Sequence, residues 1–192
     1  MAGDVYENSW KDDLKEKFSK YFFNVKVLDI GSADINGTNK PWFDNCEYTG
    51  LDVLPYQNVD IVSLAHEYNP DGLFDVVCST SELEHDMYWQ KTLQKMVDLL
   101  KPDGFMWFVE PYIWSEHGTL STTPQDSLTS KIDNPLWNSY YKNLSVDDIK
   151  SVLDLEKIFS SHKIEYLEHP GREEISLAFW GIKKGVRTSS SI

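Results

Sequence analysis

The β-branched run VKVLDI (25–30) ends on Gly31, and the run EYTGLDV (47–53) carries Asp52 near its end. A strand that stops on glycine lets backbone approach a ligand closely. An acidic residue about 20 positions further on, at the tip of the next strand, is where a ribose diol is gripped. Further runs of strand type follow at 59–64 (VDIVSL), 74–80 (FDVVCST) and 105–109 (FMWFV). Between the last two, residues 87–100 place Trp89, Leu93, Met96 or Val97, and Leu100 on one helical face, and Pro102-Asp103-Gly104 stops the helix. Strand and helix alternate, which predicts an α/β fold with a mostly parallel sheet and helices on both faces. In such sheets ligands bind beyond the carboxyl ends of the strands, at the topological switch point.

The flanks are read in the same way. Residues 9–22 put Trp10, Leu14, Phe18 and Tyr21 or Phe22 at helical spacing, with Ser9 as N-cap. Ser145 opens a helix over 145–159 with Asp147 and Asp148 in its first turn, favourable to the helix dipole. Residues 163–168 and 174–183 read as a closing antiparallel pair, and 187–192 as a frayed tail. The intervening stretch 112–144 is polar and aromatic-rich with little periodicity. These readings divide one domain, 1–192, into an N-terminal helix (1–23), a core (24–110), a lid or acceptor-binding insertion (111–144) and a closing helix with strands (145–186).

Charge and cysteine content narrow the partners. A formal charge of −13 argues against a nucleic-acid backbone, which demands a basic face. Two cysteines, Cys46 and Cys78, without metal-type spacing suggest a reducing compartment. With no apolar leader and no run long enough to span a bilayer, the expectation is a cytoplasmic protein with no membrane partner, a monomer or weak homo-oligomer.

The strand ends carry a resemblance. VLDIGSA, YTGLDV, FDVVCSTSELEH and LLKPDGFMWF resemble, in order, the first, second-strand, fourth-strand and fifth-strand motifs of the class I S-adenosylmethionine-dependent methyltransferases. EISLAFWGIKK is similar to their antiparallel seventh strand. The likeness covers residues 24–110 well and 145–184 loosely. Each motif alone is weak, and five in order are strong. Within the superfamily the chain looks like the methyltransferase type 11 group. HEY (66–68), EHDMYW (84–89) and EHGT (116–119) look like short phage and environmental bacterial members.

The resemblance implies a Rossmann-like sheet of seven strands, the last antiparallel, with S-adenosylmethionine as cofactor. It implies that Gly31, Ser32 and Ala33 pass under the methionine and ribose, and that Asp29 lies near the methionine amino group. Asp52 would hold both ribose hydroxyls, Val53 would pack on the adenine, and Leu64, Ala65 and His66 would hold its edge. Ser79 would offer its carbonyl to the amino group. Three departures stand out. Ala33 replaces the usual second glycine. Residues 36–41 are poor helix formers. Leu64 stands where many relatives carry aspartate, so the adenine contact is absent or comes from Ser63 or His66.

Methyl transfer needs mainly alignment of donor and acceptor, and a general base where the acceptor holds a proton. His85 and His117 are the first candidates, because imidazole titrates near neutrality, and Glu82 is the third. Plainer readings exist: Glu84-His85 opening a helix, Glu82, Glu116 and His117 as loop residues, the aromatics of 111–144 as a cover. No histidine pair has the helical spacing of metal ligands, so no metal site is expected. The acceptor is expected to be a small molecule. Two other functions share part of the pattern. An NAD-type module needs a third glycine where Asn36 stands, and a non-catalytic S-adenosylmethionine binder needs only the cofactor half.

Overall fold

The structure, a computed structural model, describes residue 3 and residues 5–185. Strands β1 (Lys26–Ile30), β2 (Glu47–Asp52), β3 (Ile61–Val62), β4 (Phe74–Thr80), β5 (Leu100–Ile113), β6 (Phe159–Glu168) and β7 (Ile175–Lys183) form one sheet. Its order is β3-β2-β1-β4-β5-β7-β6. Neighbours are parallel from β3 to β5, and β7 runs antiparallel to both β5 and β6. This is the Rossmann-like α/β sheet that the sequence predicts.

The central strands are apolar along their length because both faces are covered. In β1, Leu28 and Ile30 face one layer and Val27 the other. The first layer joins them to Val77, Met106, Phe108 and Phe179, and to Leu93 and Met96 of helix α2 (Trp89–Asp98) and Ile149 of helix α3 (Val146–Val152). The second packs Val27, Val76, Phe105, Trp107 and Trp180 against Trp10 and Leu14 of helix α1 (Val5–Lys17).

Several boundaries move. Helix α1 spans Val5–Lys17, so Ser9 lies inside it rather than capping it. A single 3-10 turn, Ser19–Tyr21, then carries Tyr21 into the core, stacked on Phe105. Strand β3 shrinks to two residues. The segment after Gly31 forms no helix beyond the 3-10 turn Lys40–Trp42, which begins around Pro41. Strand β5 runs through Pro102-Asp103-Gly104, with Asp103 at φ +59° and a register shift against β4. The helix expected over 145–159 breaks in two. Leu153 turns extended and Asp154 caps a short helix α4 (Leu155–Ile158), so that Leu153 and Leu155 both reach the core. The expected frayed tail, 187–192, lies outside the described residues.

Candidate active site

The switch point lies between β1 and β4, whose strands leave it in opposite directions. There Gly31 adopts φ +74°, and a Cβ added to it falls 2.4 Å from Cβ of Glu82. Only glycine fits this turn. Gly31 N and Ser32 N both donate to the Leu51 carbonyl, at 2.9 and 3.1 Å. Asp52 completes the turn from β2, accepting from Ala33 N at 3.1 Å and from Val53 N at 2.7 Å. One lone pair on each oxygen is thereby used, and one on each is left for a ligand. Burial, opposed by those two bonds, pushes the Asp52 carboxyl up to about 6.

A cavity of about 600 Å³ opens from this turn. Gly31, Ala33, Asp52, Ser81, Glu82, His85 and His117 line it together. Ser81 holds φ +51° where β4 ends, a left-handed conformation uncommon outside glycine. A second, closed slot is lined by Leu51, Asp52, Val53, Leu64, Ala65 and His66, with Trp137 across it. His66 presents a buried Nδ1 with no partner there.

Beside Glu82 lies a set of buried carboxyls. Glu110, at the tip of β5, accepts from Glu82 N at 3.2 Å and Leu83 N at 3.1 Å, and so holds the loop after β4. The Glu84 and Glu110 carboxyls lie within hydrogen-bond reach of each other. As carboxylates neither can donate, which leaves both Glu84 oxygens and Glu110 Oε1 without a donor. A shared proton satisfies such a pair. Burial first, then the neighbouring acids, push Glu110 up to about 8 and raise Glu82 and Glu84 well above the usual carboxylate range. His85 moves the other way. Burial, and then the neighbouring His117, hold its imidazole down to about 3, so it is neutral at ordinary pH and a weak proton acceptor.

Residues 111–113 belong to β5, and the segment that follows, 114–144, borders the cavity in part. Trp114, Ser115, Glu116, His117, Ser127, Leu128 and Thr129 line the cavity from this segment. The segment is pinned to the loop after β4: Trp137 Nε1 donates to the His85 carbonyl at 3.0 Å and Lys142 N to the Glu84 carbonyl at 2.9 Å. The rings of His85, His117 and Tyr141 meet edge to face, with centroids 5.0–5.5 Å apart.

Of the residues singled out from sequence, Gly31, Ala33, Asp52, Glu82, His85 and His117 share the cavity. Val53, Leu64, Ala65 and His66 share the slot. Three lie elsewhere. Asp29 points to the α1 side of the sheet, where Asn39 donates to it at 2.9 Å and the Tyr48 hydroxyl binds its other oxygen. Ser32 is buried, its hydroxyl donating to the Asn58 carbonyl at 3.1 Å. The Ser79 hydroxyl donates to the Ile30 carbonyl at 3.0 Å, tying β4 to β1. Sequence reasoning passed over Ser81 and Glu110, and weighed Glu84 only as the opening of a helix. A charge closing the apolar run FMWFVE was the available signal for Glu110. Nothing local marks Ser81.

Fold and site together define a class. Residues 21–108 match the family model of the methyltransferase domain. The matched residues form a methyltransferase domain, its sheet is that of the class I S-adenosylmethionine-dependent methyltransferases, and the cofactor of that class is S-adenosylmethionine. Solved structures share the fold. The N-methyltransferase NodS from Bradyrhizobium japonicum WM9 is 16% identical, with a TM-score of 0.57 over 94% of this chain and 98% of that one. The 1,6-didemethyltoxoflavin-N1-methyltransferase of Burkholderia thailandensis is 14% identical, with a TM-score of 0.64 over 94% and 79% of the two chains. The CurJ carbon methyltransferase is 16% identical, with a TM-score of 0.62 over 96% of this chain and 56% of that one. No curated protein matches the chain in sequence.

The residues present fit the cofactor. The glycine turn leaves no side chain between the strand tip and the cavity, Asp52 keeps free lone pairs, and His66, which lines the slot, has a buried Nδ1 without a partner. Among the described residues no helix is long and apolar enough to cross a membrane.

Proposed function

We propose that the chain methylates a small molecule held in the cavity that residues 114–144 border. The observation that carries this reading is the cavity shared by the Gly31–Asp52 turn and the His85–His117 wall. Its volume of about 600 Å³ lies in the range of small-ligand sites. Trp114, His117 and Leu128 line the cavity from the segment after β5.

When bound, the cofactor supplies an electrophilic methyl on a cationic sulfur. The chain's residues then have four tasks. Asp52 grips the ribose hydroxyls, the 64–66 segment holds the adenine edge, and Trp137 shifts from the slot to admit the ring. Asp52, ionised above about 6, gives the cavity a negative charge that suits a cation. The 114–144 segment excludes water and sets the acceptor in line with the methyl, where most of the rate advantage of such a displacement arises. A proton released by the acceptor finds Glu82, His85 and His117 on the same wall. The solved neighbours include nitrogen and carbon methyltransferases, so the fold does not select the acceptor atom.

Calorimetry with S-adenosylhomocysteine, and with NAD as the competing ligand, tests this reading. Binding of the first and not the second is expected. Asp52→Ala removes an acceptor of two charge-assisted hydrogen bonds, each about 1.5–3 kcal/mol, so affinity falls on the order of a hundredfold while the fold persists. Heat with NAD alone, or an unchanged affinity in the variant, rejects it.

A further inference from the structure

Glu84, His85 and His117 each offer one ligand atom, and the three atoms lie within 4.8 Å of one another. Glu84 Oε1 is 3.6 Å from His85 Nε2. Bonds of about 2.0–2.1 Å to a metal ion place neighbouring donor atoms about 3.0–3.4 Å apart, so this pair is nearly set. The first two ligands sit on the rigid loop after β4, which Glu110, Trp137 and Lys142 hold at three points. The third comes from the 114–144 segment. Gly118, at φ +65°, lets that segment close on the imidazole: a Cβ added there falls 2.5 Å from Cε1 and 2.9 Å from Nε2 of His85.

We propose that these three side chains form a binding site for a divalent first-row transition metal ion. Several independent observations point to a ligand. Glu84 is fully buried, and its Oε1, the oxygen beside His85 Nε2, has no hydrogen-bond donor; a proton shared with Glu110 occupies only one of its two oxygens. Among the described residues this is the cluster of His, Cys, Asp and Glu that can hold an ion. The tautomer of His117 suits ligation as well. Its Nδ1 lies 3.0 Å from the Ser115 carbonyl oxygen, to which it donates, leaving Nε2 with a free lone pair. A backbone carbonyl behind the second nitrogen is the usual support of a metal-bound histidine.

The donor set selects the ion. Two imidazoles and one carboxylate suit zinc, cobalt, iron and manganese, whereas magnesium and calcium prefer oxygen alone. Three protein ligands leave coordination positions open, as in catalytic rather than structural sites. Two of the three ligands, His85 and His117, line the cavity. With the ion in place the two imidazoles hold metal instead of a proton. The position of the site at the acceptor end rests on the proposed function, but its ability to hold an ion does not.

The test titrates untagged, chelator-stripped protein with cobalt(II), read by its visible absorption, and repeats the titration with zinc and magnesium. The expected result is one cobalt per chain in a low-symmetry or tetrahedral spectrum, displaced by zinc and not by magnesium. His117→Ala, at a half-buried position, is expected to lose at least tenfold in cobalt affinity, and Glu84→Gln to do the same. His162→Ala, at an exposed ion pair with Glu156, is expected to bind like the parent. Circular dichroism and S-adenosylhomocysteine calorimetry on each variant confirm that fold and cofactor site survive. Absence of a 1:1 cobalt complex in the parent, or equal affinity in folded His117→Ala, overturns the metal site. If S-adenosylhomocysteine still binds in that case, the methyltransferase reading stands without it.

Discussion

Asp52 shows how one side chain serves two purposes. Its carboxylate accepts from Ala33 N and Val53 N, so it shapes the turn beneath the ligand while also facing the cavity. Burial raises its carboxyl to about 6, which places the loss of its charge within an accessible pH range. The ionised form accepts ribose hydrogen bonds, and it prevails above that value. Affinity for S-adenosylhomocysteine is therefore expected to hold at pH 7–8 and to fall below about 6, at roughly tenfold per unit for one coupled proton. Asp52→Asn is expected to bind more weakly at neutral pH and to flatten that dependence. Calorimetry across the range decides it, and a variant that keeps the parent's pH profile assigns the dependence to another group. Strand ends and spacing mark Gly31 and Asp52 in the sequence, and both line the cavity. Asp29 does not. Alternation along β1 sends it to the opposite face, where Asn39 and Tyr48 claim its oxygens, and nothing in a linear motif records those partners.

At the scale of elements, the strands were more legible than the helices. Strand β4 coincides with FDVVCST because a fully buried strand has no polar interruption to blur its ends. The helix after Ser145 was placed correctly at its start and not at its end. The start is local: Ser145 Oγ accepts from Asp148 N at 3.1 Å, and Asp148 Oδ2 accepts from Ser145 N at 2.9 Å. The end is tertiary, since Leu153 must leave the helix to enter the core beside Ile149. Strand β5 fails the local reading for the same reason. The ladder skips Pro102-Asp103-Gly104: Leu100 pairs with Phe74 and Phe105 with Val76 and Ile182, so these turn residues form an irregularity that the flanking pairs carry inside the strand. The cap gives a clean measurement. Ser145→Ala is expected to cost about 1 kcal/mol, lowering the thermal midpoint by about 2–4 °C. A midpoint unchanged within error shows that tertiary packing alone holds α3 in place.

For the whole molecule, the buried acids set the response to pH. Glu110 is raised from 4.5 to about 8 and Asp52 from 3.8 to about 6, both first by burial, while Asp29, Glu82 and Asp86 are raised from the same cause. Between the ordinary and the raised value the folded chain binds more protons than the unfolded one, so unfolding free energy falls as pH rises. For Asp52 that loss is complete near 6, and for Glu110 near 8. The ligand-free protein is thus expected to melt at a higher temperature near pH 5 than near pH 8, against the usual trend for acid-rich proteins. Scanning calorimetry in matched ionic strength checks this. A midpoint that rises toward pH 8 contradicts the burial of these groups as acids. A cationic ligand placed among them is expected to narrow the gap between the two pH values.

Strand β7 lies between β5 and β6 although it is made after both. During synthesis the two older strands therefore wait with bare edges, and half of the sheet stays unclosed until the youngest strand leaves the ribosome and slides into the gap. A nascent chain stalled before residue 175 presents Phe105, Trp107 and Phe108 on a strand whose partner does not yet exist. The sheet's period of greatest exposure to chaperones and to self-association lasts until β7 has been made.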